Sequence, residues 1–220
     1  MSTQALSDIR NAQLEARARA LYSDALPYHN FDHIQDTLRA AAMVIDRCQE
    51  EHIRIDAEVV YFALLFHDAG YQDDHVAHGY DSKERYSAAL AAPILREHGV
   101  GPAQVEKAVA AILATERDAL SVSAEQKAVR AADLSGLAAD YPQFLLSSLR
   151  LKREHELLYG RALSWTDWQH TSREVLGHYL GQEIRLTSYF HDGHGESSFH
   201  KAVRTNLGRL LAEPTEPTPR

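Results

Sequence analysis

Four residues of this chain could do chemistry together: His33, the adjacent pair His67-Asp68, and Asp133. His33 and His67 sit on apolar helical patterns, where a polar side chain is costly unless it is paired or bound to a cation. Two neutral imidazoles and two carboxylates, carried by three separate helices, can converge on one divalent ion. A mixed nitrogen and oxygen set suits manganese, iron, cobalt, nickel or zinc better than calcium. The chemistry this suggests is metal-assisted hydrolysis, with a bound ion activating water.

The spacing of these residues restricts the elements that carry them. Asp68 follows His67 directly, so on a continuing helix their side chains would diverge by about 100°. Both can reach one ion if the helix ends there, and Gly70 is the kind of residue at which helices end. A helix C-terminus is also the negative end of the backbone dipole, which favours a cation. Asp133 must arrive through the fold.

The hydrophobic pattern is helical nearly throughout, with no alternating strand signal. It predicts helices over 7–21, 32–48, 55–67, 82–98, 102–116, 124–138, 142–159, 166–180 and 199–212. Residues 55–67 are almost entirely apolar and should form the central buried helix. Asn30 and Asp32 compete to cap the helix that carries His33, and Ser82 and Gly99 fit the two ends of the next long one. The expected fold is all-α, a single helical domain of about eight helices over 1–212, followed by a disordered, Pro-rich tail over 213–220.

Composition narrows the function classes. The 220 residues carry a formal net charge of −8, a poor match to a long nucleic-acid backbone, so no long nucleic acid is expected as a partner. A small phosphate substrate remains compatible, because a metal supplies local positive charge. A single cysteine, Cys48, excludes an intramolecular disulfide and fits a reducing cytoplasm. Residues 1–10 lack the apolar core of a signal peptide, and the apolar run 59–66 is too short to span a bilayer, so no membrane association is expected.

The motifs around the four residues also carry a resemblance. The chain reads Tyr28-His29-Asn30-Phe31-Asp32-His33, then Ala63-Leu64-Leu65-Phe66-His67-Asp68-Ala69-Gly70-Tyr71, then Arg130-Ala131-Ala132-Asp133-Leu134-Ser135. This series resembles the HD superfamily of metal-dependent phosphohydrolases, in the small bacterial branch with a YHN-x-x-H opening and an HD-x-x-Y second motif. The resemblance runs from about Tyr28 to about Leu211. It implies an HD-type helical domain in which His33, His67, Asp68 and Asp133 ligate one divalent ion. It further implies a metal-activated water, oriented in part by Asp68, that attacks a small phosphorylated metabolite, with a nucleotide as the leading substrate class.

The resemblance extends to further residues. Lys83-Glu84 followed by Ser87-Ala88 matches the branch's Asn-Glu-x-x-Ser-Ala, with Lys83 in place of Asn. Glu84 is then the first candidate for proton transfer, catalytic beside Asp68, and Lys83 a candidate to hold a phosphate oxygen. His29 is a candidate for substrate contact or for support of the ligands. Ala25-Leu26-Pro27 stands where the branch often has Arg, and Glu116-Arg117 follows Ile112-Leu113-Ala114-Thr115 where many members have His. These departures bear on the substrate more than on the metal. Arg204 and Asn206 could brace the core or touch a ligand, with bracing the favoured reading, and the second His-Asp pair, His191-Asp192, reads as a surface feature.

Two rival functions remain. An HD-type di-iron oxygenase needs extra imidazoles between Asp68 and Asp133, where only His75, His78 and His98 lie, none on an apolar helical face. A mononuclear site is therefore expected, with Glu116 left open as an additional carboxylate ligand. A catalytically silent, metal-stabilised binding or regulatory domain is the other rival. The sequence leaves a homodimer open.

Overall fold

The structure, a computed structural model, describes residues 4–218, and all the regular structure among them is helical. The chain divides into two compact units, with the boundary after Asp133, where the sequence pattern suggests one domain over 1–212. At this boundary a 3-10 helix, Ser135–Ala138, interrupts the segment expected to be one helix over 124–138.

The first unit begins with α1 (Gln4–Ile9) and α2 (Ala12–Arg19) rather than one helix over 7–21. Asn11 makes the break. Its backbone is extended, and its side chain caps α2 by accepting from the amides of Gln13 and Leu14. In α3 (Phe31–Glu50), His33, Ile34, Thr37, Leu38, Ala41, Val44, Ile45 and Cys48 form the buried face. Asn30, not Asp32, is its N-cap: Asn30 Oδ1 accepts from the amides of Asp32 and His33. The same side chain donates from Nδ2 to the Leu26 carbonyl at 2.8 Å, which fixes the approach of the YHN segment.

The apolar run forms α4 (Ala57–Phe66), whose residues from Val59 to Phe66 are fully buried apart from Phe62. It packs against α3, against α5 (Lys83–Glu97) and against α6 (Pro102–Leu113). Ser82 caps α5, and α6 ends at Leu113 rather than near residue 116. The unit closes with α7 (Ala124–Leu134), which carries Asp133 in its last turn.

The chain leaves α4 through a turn that only glycine fits. Gly70 has φ +72°, and a Cβ there would lie 2.6 Å from Tyr86 Cε1 and 2.8 Å from Leu90 Cδ1. The Gly70 amide donates to the Leu21 carbonyl at 3.0 Å, and Ser87 Oγ donates to the Ala69 carbonyl at 2.8 Å. Tyr22 donates its hydroxyl to the Leu65 carbonyl at 2.9 Å, covering an acceptor that the end of α4 leaves unpaired.

The second unit contains the 3-10 helix, α8 (Tyr141–Tyr159), α9 (Trp165–Leu180) and α10 (Ser198–Ala212). Trp168 donates to Ser148 Oγ at 2.9 Å, joining α9 to α8. Asn206 is a brace, as expected, donating to the carbonyls of Leu137 and Ala139. Arg204 binds Glu196 and the Gly195 carbonyl. The stretch expected to be a disordered tail carries specific contacts. Tyr141 donates to Glu213 Oε1, Trp165 and Gln169 donate to the Glu213 carbonyl, and Lys152 pairs with Glu216 at 3.0 Å. A sequence rich in proline is not thereby free when aromatic and cationic donors are placed to receive it. Residues 219–220 lie outside the described residues.

Gly70→Ala should destabilise the first unit. A left-handed backbone costs an L-residue about 1–2 kcal/mol, and forced overpacking adds about 1–3 kcal/mol. A thermal or urea melt should show a loss of about 2–5 kcal/mol by these two effects. A change below about 0.5 kcal/mol, the usual size for an innocuous surface site, would show that the turn tolerates a Cβ.

Candidate metal centre

The site is built where α3, the end of α4 and the last turn of α7 meet. His33 projects from the first turn of α3, which Asn30 caps. His67 is the C-cap of α4, and the chain turns away at Asp68. Asp133 comes from α7. The early end of α4 resolves the divergence expected of neighbouring side chains: Asp68 Oδ2 lies 3.1 Å from His67 Nε2 and 3.5 Å from His33 Nε2. Asp133 Oδ1 lies 3.4 Å from His67 Nε2 and 3.7 Å from His33 Nε2. All four residues named from the sequence are therefore brought together.

The decisive atom is His67 Nε2. His67 Nδ1 lies 2.9 Å from the Leu64 carbonyl, which can only accept, so Nδ1 carries the proton. In the neutral ring Nε2 then presents a lone pair. That nitrogen is buried and makes no hydrogen bond, although two carboxylate oxygens stand close to it. A lone pair facing two anions is repulsive unless a proton on the nitrogen or a metal cation lies among them. Fixing the tautomer through Nδ1 is also how proteins orient a metal-ligating histidine.

The donor spacing fits an ion. Ligands about 2.1 Å from one metal are about 3.0 Å apart at right angles and about 3.4 Å apart at tetrahedral angles. The four separations run from 3.1 to 3.7 Å. One donor atom each from His33, His67 and Asp68 lies within 4.8 Å of the others, the one such group of three among the described residues; Asp133 stands outside that group and joins it through its approaches of 3.7 and 3.4 Å to the two imidazoles. With Asp133 the donors number two nitrogens and two carboxylates, a set suited to first-row divalent metals.

Electrostatics describe the same cluster without an ion. Burial lowers the His33 pKa, but the contacts with Asp133 and Asp68 outweigh it, and the net shift is upward. His67 behaves alike and is raised further, with the charge of Asp68 the main opposing influence to burial. Burial raises both carboxyl pKa values, yet the imidazoles win, and Asp68 and Asp133 are held well below the usual carboxylate range.

A second group borders the imidazoles. His29 meets His33 edge-on, with ring centroids 5.8 Å apart, and stacks on Tyr71 at 3.7 Å and 11°. The Lys83 ammonium lies 3.4 Å from the Tyr71 ring centroid. Because the imidazole covers one face of Tyr71, the ammonium occupies the other. Lys83 is thus two layers from His29 rather than beside it. Glu84 follows in the first turn of α5, partly exposed, and among the described residues its side chain has no hydrogen bond or ion pair.

The other candidates are engaged elsewhere. Glu116 uses its carbonyl to accept from Arg130, and its carboxylate is not part of the donor group. His78 stacks on Tyr86, and His98 Nδ1 lies 2.8 Å from the Ile94 carbonyl. His191 contacts Glu183 at 3.1 Å, while Asp192 accepts from the amides of His194 and Glu196 and so shapes its loop. Two residues near the site have no role that their sequence positions disclose: Tyr71, contained in the HD-x-x-Y motif, and Arg130, in the third motif.

No family model matches this chain, and no curated protein matches it.

The pKa directions set a pH test on metal-stripped protein. A raised histidine contributes stability that is fully present below its unfolded value of about 6.5 and is lost as pH rises through the higher folded value. A depressed aspartate contributes stability present above about 3.8 and lost as pH falls through the lower folded value. The melting temperature should therefore fall on both sides, and His67→Gln should flatten the alkaline limb. An alkaline limb unchanged in His67→Gln would contradict the coupling of His67 to the two carboxylates.

Proposed function

We propose that this protein is a metal-dependent phosphohydrolase of the HD kind, acting on a small phosphorylated metabolite, with a nucleotide as the leading class. The observation that carries the proposal is the buried, tautomer-fixed Nε2 of His67 facing the carboxylates of Asp68 and Asp133. The order of the His, His-Asp and Asp motifs, similar to that superfamily, supports it.

In this reading His33, His67, Asp68 and Asp133 hold one divalent ion. Such an ion supplies a Lewis acid for a phosphoryl oxygen and lowers the pKa of water toward about 7. The remaining work falls to side chains of this chain. Asp68 has two oxygens, so one can serve as donor to the ion while the other accepts a hydrogen bond from water and aims it. Glu84, at the mouth of α5, takes or returns the proton. His29 and Lys83, held on opposite faces of Tyr71, favour an anionic substrate. With two carboxylates against one divalent ion, the ligand set is close to neutral, so the anion's remaining charge needs these partners. A reducing cytoplasm suits the single, buried Cys48. No helix of the described residues is long and apolar enough to cross a membrane.

Phosphate release should be measured over nucleoside phosphates and sugar phosphates with Mn, Co, Ni and Zn in turn. Turnover with at least one pair is expected. Glu84→Gln should keep the metal and lose about 10²–10⁴ in kcat, the usual worth of a positioned proton-transfer group. Stoichiometric metal with no phosphate release across the panel would favour the silent binding domain. Oxygen consumption by the iron-loaded protein would favour the oxygenase.

A further inference from the structure

Asp133 reaches the cluster from farthest along the chain, and a binding carboxylate has to be held to within about 0.5 Å of its working position. Arg130 is one turn before it, so the two side chains share a face of α7. The Arg130 side chain is buried at 5% exposure. Its Nη1 donates to the carbonyls of Ala114 and Glu116 at 3.0 and 2.9 Å, and its Nη2 to the Arg117 carbonyl at 2.7 Å. These acceptors belong to the C-terminal end of α6 and the turn beyond it. That end is the negative pole of a helix and leaves carbonyls without partners.

The clamp lies in a short mechanical path. The helix α6 packs on α4, and α4 ends in His67 and Asp68. At the start of α7, Gln126 donates to the Ala110 carbonyl of α6, and the amide of Asp56, the N-cap of α4, donates to Glu125. Arg130 adds a polar tie one turn from Asp133. A buried guanidinium with three carbonyl acceptors is rigid in a way a lysine ammonium is not, because its donors are fixed in one plane.

We infer that Arg130 is a positioning residue for the ion-binding carboxylate of Asp133, setting its distance from His67 and Asp68 by fastening α7 to the end of α6. This rests on the proposed metal reading.

The test is a double-mutant cycle on the full chain, with Co²⁺ alone as the probe. Arg130→Lys should lower Co²⁺ affinity by about 10- to 100-fold, the usual effect of losing a group that orients a ligand. Asp133→Asn should lower it as well. In the Asp133→Asn background, Arg130→Lys should change affinity by less than about twofold, because the two act through one carboxylate. The visible Co²⁺ spectrum of Arg130→Lys should shift toward that of Asp133→Asn. Arg130→Gln serves as the second variant should the lysine variant lack a cooperative melt. Wild-type affinity and spectrum in a folded Arg130 variant would overturn the inference. So would an equal loss of affinity in both backgrounds, or a failure of both variants to fold, since Arg130 would then hold the fold and not the ligand. Absence of Co²⁺ uptake by the wild type would instead overturn the metal reading itself.

Discussion

The His67 imidazole, pinned through Nδ1 to the Leu64 carbonyl with its Nε2 set between two carboxylates, is the constraint on which the first unit of this protein depends. Unit charges 4 Å apart interact by on the order of 4 kcal/mol at an effective dielectric of 20. That is a large fraction of the 5–15 kcal/mol or so that separates a folded domain from its unfolded chain. Such a cluster therefore has two stable fillings. Protons on the imidazoles balance the two carboxylates, which is why both histidine pKa values rise and both aspartate values fall. A divalent cation balances the same two carboxylates with the imidazoles neutral. Proton and metal then compete for the same lone pairs, and ion binding is expected to release protons.

The surrounding fold serves this geometry from several directions. The apolar α4 delivers His67 and Asp68 to its end, and the tight turn at Gly70 lets neighbouring side chains converge. Ser87 and Tyr22 occupy the carbonyls of Ala69 and Leu65, on either side of the pair. Asn30 orients the first turn of α3 and thereby His33. These are small contributions singly, each about 0.5–1.5 kcal/mol net. Their common effect is to remove rotational freedom from the donor atoms, so that an ion, in the proposed reading, would meet a preorganised site.

Much of this was legible in the sequence, and the reasons are specific. The helical period and the apolar run of α4 follow from residue types alone, as does the N-cap at Ser82. The meeting of His33, His67, Asp68 and Asp133 followed from motif order, because polar residues on apolar helices need partners. Less legible was anything set by backbone carbonyls. The break at Asn11 and the ends of α6 and α7 depend on local hydrogen bonds that periodicity does not register. Arg130 stands in the third motif with nothing in the sequence to mark its role, because the three carbonyls that surround it are brought there by the fold. Lys83 is a candidate phosphate contact and His29 a candidate for substrate contact or support of the ligands, but the Tyr71 layer between them arises from folding. The contacts of Glu213 and Glu216 were hidden by a proline-rich composition.

X-ray absorption of zinc-loaded protein tests the central claim most directly, since it reads the ligands and not the consequences. The account expects a single zinc environment with two imidazole nitrogens at about 2.0–2.1 Å and oxygen ligands at about 2.0–2.2 Å. It also expects no sulfur, because Cys48 is buried in α3 outside the donor group. A spectrum without imidazole scattering, or with a metal–metal vector near 3.5–4 Å, would contradict a single ion held by His33, His67, Asp68 and Asp133.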